Sequence, residues 1–203
     1  MKLMGNLKQG LLFVMSAPAG TGKTTLTSKL YDDFKGVIVP SVSCTTRSKR
    51  PGEIDGVHYH FLSEAEFLKE VAAGNFLEHT ELFGARYGTL KKAIQEPQKK
   101  GQHVVMVIDI QGALEIKKQL KAAFIFLAPP SQEVLKERLV NRNTESEDFV
   151  RERLERARLE LSFAKEYDYI IINDDLEIAY QAVKSIIVAE EHRSCYQYGL
   201  LNK

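Results

Sequence analysis

Two cysteines, Cys44 and Cys195, lie far apart in this chain. That scarcity argues against a disulfide framework, and neither cysteine has zinc-ligand spacing. Charge of one sign is also lacking: 28 Lys and Arg face 27 Asp and Glu, for a formal net charge of +1. No general attraction to nucleic acid or to an anionic membrane is expected. No apolar run is long enough to span a bilayer. The N-terminal apolar stretch is short and flows straight into a glycine-bearing loop, so it reads as a core strand and not a signal peptide. There is no internal repeat and no low-complexity segment. A reducing cytoplasm is the expected location. The length of 203 residues suits a single α/β domain with a substantial core and small inserted lobes.

What is present begins at Leu11. The apolar run Leu11 to Met15 leads into Ser16-Ala17-Pro18-Ala19-Gly20-Thr21-Gly22-Lys23-Thr24-Thr25 and then an amphipathic segment, the pattern of strand, phosphate loop and helix. Gly20 and Gly22 supply permissive backbone where N–H groups must turn around phosphate oxygens, and Lys23 carries a cation to the outer phosphates. Thr24 offers a hydroxyl to Mg²⁺. The helix points its positive end at the anion. Ala17 stands where such loops usually begin with glycine, which requires negative φ there.

Leu26 and Leu30 share a helix face, Lys35-Gly36 ends that helix, and Val37 to Val39 reads as a second buried strand closed by Pro40. Ser41 to Gly56 has loop composition, and Val57 to Phe61 alternates like a strand. Ser63-Glu64-Ala65-Glu66 is a capping box for a helix ending at Gly74, with Phe76 to Phe83 extended again. A helix over Lys91 to Lys99, a strand over His103 to Ile108, a helix after Gly112 and a strand over Ala123 to Ala128 follow. Such alternation predicts parallel strands with crossover helices and ligands at the carboxyl ends of the strands. Ser131 is placed to cap a helix through Leu135 and Leu139, and Arg142 to Asp148 has the composition of a mobile flap. A long helix, the strand Tyr169 to Ile172 and a closing helix capped by Asp174 or Asp175 complete the chain. Ile178, Val183, Ile186 and Ile187 are expected to pack that last helix on the core.

Two further groupings carry chemistry. Asp109 ends the apolar run Val104 to Ile108, where a carboxylate either orients hydrated Mg²⁺ or caps the next turn. Arg47 and Arg50, three apart on a turn-rich loop, have the spacing to aim two guanidinium forks at one phosphate, with Tyr59 adding a hydroxyl. Alone they read as a solvated basic loop; beside the phosphate loop they suggest a second phosphate grip, one for a donor nucleotide and one for a phosphorylated acceptor. His58, His60, His79, His103 and His192 have neither metal-ligand spacing beyond the 58/60 alternation nor a nucleophilic partner, so structural roles are expected.

The loop from Ser41 to Tyr59, the segment Phe76 to Thr89, the strand end Ile108-Asp109-Ile110-Gln111-Gly112 and the run Pro129-Pro130-Ser131, in this order and spacing, resemble guanylate kinase over nearly the whole chain. The resemblance implies a P-loop nucleoside-monophosphate-kinase fold, with Mg²⁺-dependent phosphoryl transfer from ATP to GMP. The implied layout is one domain over 1–203: core about 1–40, 91–128 and 159–203, GMP-binding lobe about 41–90, lid about 129–158. By position, Arg47, Arg50, Tyr59 and Tyr87 hold the GMP phosphate, Ser43, Glu78 and Thr89 contact guanine, and Asp109 touches both acceptor and metal. Ala17 through Thr25 hold ATP, Thr24 and Asp109 the metal, and Asn173 touches adenine. Lys23, Arg47 and the lid arginines Arg138, Arg142 and Arg153 form the catalytic set, whereas Arg156 and Arg158 read as surface residues. Only the small molecules ATP and GMP are implied as partners. Glu78 has its own logic: guanine presents N1–H and the 2-amino group as adjacent donors to one carboxylate, and adenine has no such pair. Three departures stand out: Val107 replaces the first acid of a common Asp-x-Asp, Ala85-Arg86 replaces a common Asn-Tyr, and Asn143 occupies a lid position that is often glycine. Another monophosphate kinase of this fold, or a non-catalytic binding module built on the lobe, are the competing readings.

Overall fold

The structure, a computed structural model, describes residues 2–82, 84–140 and 147–201, and side chains within 2–82, 84–140 and 150–197. The first strand, β1 (Leu12–Ser16), is buried at every position, as expected of a strand covered on both faces of a parallel sheet. It feeds α1 (Lys23–Asp33), whose N-cap is Gly22 at φ 91° with no side-chain cap. Then come β2 (Ile38–Pro40), β3 (Cys44–Thr45), β4 (His60–Phe61), α2 (Glu64–Ala72), β5 (Phe76–Leu82) and β6 (Ala85–Leu90). Alternation resumes with α3 (Lys91–Lys99), β7 (His103–Val107), α4 (Ile110–Gln119), β8 (Ala123–Ala128), α5 (Gln132–Val140), α6 (Glu147–Ser162), β9 (Tyr169–Ile172), α7 (Leu176–Glu191) and α8 (Ser194–Leu201).

Among the described residues one sheet runs β2-β7-β1-β8-β9, all parallel. The chain leaves β1 toward one side and later crosses from β7 to β8 on the other, which opens a crevice at the carboxyl ends of β1, β7 and β8. Side chains of β1 alternate between two cores. Phe13 and Met15 pack with Leu26, Leu30, Tyr180 and Val183 of α1 and α7, and Leu12 and Val14 pack with Ile94 and Ile116 of α3 and α4. At the opposite end a buried pair ties β7 to α7: His103 Nε2 lies 2.8 Å from Glu191, and its Nδ1 accepts the Leu11 N–H at 3.0 Å. Glu191 also accepts the N–H groups of Gly5 and Asn6, at 2.7 and 2.8 Å. His103 is thus structural.

A second sheet, β4-β3-β6-β5, carries its own small core. Its helix α2 starts with the predicted capping box, in which Ser63 and Glu66 satisfy each other's backbone N–H. It presents fully buried Phe67 to Phe76, ring centroids 4.4 Å apart. Removing the Phe67 ring would cost about 3–5 kcal/mol by cavity formation.

Four expectations need correction. Val57 to Phe61 forms strand only at His60–Phe61, because Gly56 turns at φ 73° and the His58 ring accepts the Ile54 N–H. The helix expected after Gly112 starts at Ile110, two residues earlier, since Asp109 caps it on the Gly112 N–H. Ile178 is 71 % exposed, so α7 packs through Val183 and Ile187 instead. Helix α8 was not anticipated.

Candidate active site

A cavity of about 390 Å³ lies over the carboxyl ends of β1 and β7 and reaches between the two sheets. Its floor is the loop after β1. Gly20 and Gly22 both have positive φ, 86° and 91°. A Cβ on Gly22 would fall 2.6 Å from the Asn173 amide, and a Cβ on Gly20 would press on Leu139 and Leu135 of α5. The Pro18 carbonyl accepts the Thr21 N–H, while Ala17, Ala19, Lys23 and Thr24 line the cavity; Thr25 is exposed one residue further on. The Lys23 ammonium donates to the Ala17 carbonyl at 3.1 Å. Burial pulls its pKa down, and the negative charges of Glu160 and Asp109 push it back up. The uncapped amino end of α1 and this ammonium converge on one space, an arrangement that holds polyphosphate.

Asn173, expected to touch adenine, lies against the loop. Its side chain is buried, and its amide donates to the Thr21 carbonyl at 2.6 Å. It braces the loop from behind. Arg138, expected in the catalytic set, donates to the carbonyls of Asn173 and Asp174, at 3.0 and 3.4 Å, pinning α5 to the end of β9. Arg142 lies outside the described residues, as do Asn143 and most of the expected flap.

Arg153 does line the cavity, joined on α6 by Arg156, which reads from the sequence as a surface residue, and by Glu152 and Glu160. Arg156 Nε donates to Glu160 at 3.0 Å. Positions 153, 156 and 160 follow i, i+3, i+7 on α6, so their shared face was readable from spacing. Arg158, by contrast, reaches Gln132.

The second sheet supplies the other wall through Ser43, Arg50, Tyr59, Glu78 and Tyr87. Arg47 and Arg50 share one partner, Glu53. Arg47 makes a two-pronged ion pair with Glu53, at 2.8 and 3.0 Å, and its guanidinium sits 5.5 Å from the centre of the Tyr59 ring. Glu53, which the sequence reading missed, also accepts the Arg50 N–H at 2.8 Å. The Arg47 bond holds the Glu53 carboxyl down at about 2. Glu53 therefore fixes the loop that presents Arg50, while burial raises the Tyr59 hydroxyl's pKa.

Glu78 stands opposite Thr89 in the β5–β6 pairing, and Ser43 Oγ lies 2.9 Å from the buried Thr89 hydroxyl. Burial raises the Glu78 carboxyl to about 7, with Thr89 hydrogen bonding opposing and the Asp109 charge adding to it. Asp109 Oδ1 accepts the Gly112 N–H at 2.8 Å, so it caps α4 while facing the cavity. Arg86 points away, pairing with Glu64 and Glu81.

A floor suited to polyphosphate and a wall carrying an arginine, two tyrosines and a buried carboxylate fit a site for two nucleotides. The family model for guanylate kinase matches residues 9–190. The chain belongs to the guanylate kinase family. It is 50 % identical over 193 residues to the guanylate kinase of Protochlamydia amoebophila, covering 95 % of this chain and 98 % of that protein. It is 50 % identical over 182 residues to the guanylate kinase of Chlamydia trachomatis, covering 90 % and 89 %. The crystal structure of guanylate kinase from Anaplasma phagocytophilum superposes with a TM-score of 0.76 at 34 % identity, covering 93 % of this chain and 89 % of that one. The fold is accordingly that of the P-loop nucleoside monophosphate kinases. The activity is that of a guanylate kinase, ATP-dependent phosphorylation of GMP to GDP.

Proposed function

We propose a division of labour for this reaction in which the loop Ala17 to Thr25 binds the phosphates of ATP and the β3–β6 sheet binds GMP. The layout is one domain: a core, a GMP-binding lobe over about 41–90 and a lid over about 129–158. The observation that carries it is the single cavity shared by Lys23, Asp109, Arg50 and Glu78. Lys23 neutralises the outer donor phosphates. Arg50, Tyr59 and Tyr87 hold the acceptor phosphate, with Arg47 set behind them by Glu53. Glu78 accepts the two adjacent N–H donors of guanine, and Ser43 with Thr89 completes that edge. Arg153 and Arg156 add positive charge where the phosphoryl group passes. Little else is required, since phosphoryl transfer is catalysed chiefly by positioning and electrostatics.

The donor set suits Mg²⁺. Thr24 and Asp109 offer hard oxygen ligands, and among the described residues no cluster of three or more His, Cys, Asp or Glu could hold a metal by protein alone. Thr24 and Asp109, both on the cavity wall, would hold the ion together with water and substrate phosphates. When bound, Mg²⁺ would neutralise charge on the donor phosphates. Free Cys44 and Cys195 suit a reducing cytoplasmic location; no helix among the described residues is long and apolar enough to cross a membrane.

The test is turnover of GMP by the Lys23→Met protein. Loss of this ammonium is expected to lower kcat by about 10²- to 10³-fold with the melting temperature preserved. A folded variant with unchanged kcat would refute the assignment.

A further inference from the structure

Gly112 sits in the first turn of α4, where glycine has no local justification. It is absent from the glycines with positive φ, so no left-handed backbone calls for it. Within a helix glycine is less favourable than alanine, because it loses more conformational freedom. What the position does have is a close neighbour. A Cβ placed there would lie 3.0 Å from Glu78 Oε2, 3.4 Å from Glu78 Cδ and 3.4 Å from Asp109 Oδ1. The first of these is tighter than ordinary carbon–oxygen packing, so something would have to move. The helix is poorly placed to yield, because Asp109 Oδ1 holds the Gly112 N–H at 2.8 Å and Ala113 N–H bonds the Asp109 carbonyl at 3.0 Å. Glu78, the side chain on the other wall, is the group that would shift.

We propose that Gly112 is a positioning residue for guanine recognition: its missing side chain lets the carboxylate of Glu78 rest against the first turn of α4. This rests on Glu78 being the group that reads guanine. One turn of helix then spaces the two halves of the site, with Asp109 capping it on the donor side and Glu78 lodged against it on the acceptor side. A displacement of the carboxylate by a few tenths of an ångström would lengthen both hydrogen bonds to the guanine edge and leave the phosphate loop untouched.

The experiment is a double-mutant cycle between Gly112→Ala and Glu78→Ala, read as kcat/KM for GMP, KM for ATP and melting temperature. Gly112→Ala is expected to lower kcat/KM for GMP by about tenfold through KM, as misplacement of a binding group does, with kcat and the KM for ATP within about twofold. Its melting temperature should stay level or rise, since alanine favours the helix. A merely structural role would move stability and activity down together. In the Glu78→Ala background, Gly112→Ala should change kcat/KM for GMP by less than about twofold. An unchanged KM for GMP in the single variant would overturn the proposal. So would an equal loss in both backgrounds, or a Gly112→Ala protein that fails to fold. If Glu78→Ala alone leaves kcat/KM for GMP unaltered, the guanine reading itself falls, an outcome the single variants separate from failure of the Gly112 role.

Discussion

Glu78 should make GMP binding depend on pH in a way that a surface carboxylate would not. In the free protein its carboxyl is raised from 4.5 to about 7, mainly by burial, whereas the guanine edge requires the ionised form. The ionised fraction of a group with that pKa is about one tenth at pH 6 and about nine tenths at pH 8. The association constant for GMP should therefore fall about tenfold from pH 8 to pH 6. At pH 7 binding should release about half a proton, because the two guanine N–H donors favour the carboxylate. Titration calorimetry in buffers of different ionisation enthalpy measures both quantities. The GMP phosphate titrates in the same range, so Glu78→Gln is the control that retains the phosphate's contribution and lacks the carboxyl's. The same shift affects the free protein's stability with a definite sign. Between about 4.5 and 7 the folded state holds a proton that the unfolded state has lost, so stability falls as pH rises through that window. The difference amounts to about 3 kcal/mol at about 1.4 kcal/mol per unit, and Glu78→Gln should abolish it. A GMP profile identical in the two proteins would refute this account of Glu78.

Arg156→Ala should lower kcat/KM about tenfold, the order expected for losing one charge-assisted contact to phosphate, while Arg158→Ala, on a side chain bound to Gln132, leaves it unchanged. Equal effects from the two would place Arg156 outside the reaction. Asn173→Ala removes a buried hydrogen bond to Thr21 and should cost about 1.5 kcal/mol. Scanning calorimetry should show that as a fall in Tm of about 3–6 °C, with a raised KM for ATP. An unaltered Tm would show that the loop does not depend on this brace.

The order of strands and helices was legible because the chain punctuates itself. The apolar runs of β1, β7 and β8 are buried on both faces, so they read as strands without any partner in view. The Ser63 capping box and the Asp175 cap mark helix starts through contacts three residues long. The phosphate loop is equally local. Side-chain destinations were less legible, because they depend on what a distant segment brings. Arg47 and Arg50 have the same local sequence logic, and only Glu53, folding back across the turn, separates the one held in an ion pair from the one facing the cavity. Arg138 and Asn173 lie 35 residues apart and serve each other's segment. Arg156 reads as a surface residue for a different reason. Its neighbours in sequence are charged, and that makes a cavity-lining arginine look like one on a solvated helix face. Gly112 could not be read at all, since the residue that justifies it comes from the other sheet.

The most direct test of the central claim is to supply MgATP with GMP, dGMP, AMP, UMP and CMP as separate acceptors and to compare kcat/KM. A carboxylate left unpaired by adenine predicts GMP over AMP by about 10⁴-fold or more, with GDP and ADP formed in equal amounts. Comparable turnover of GMP and AMP, from protein shown to be folded, would contradict it.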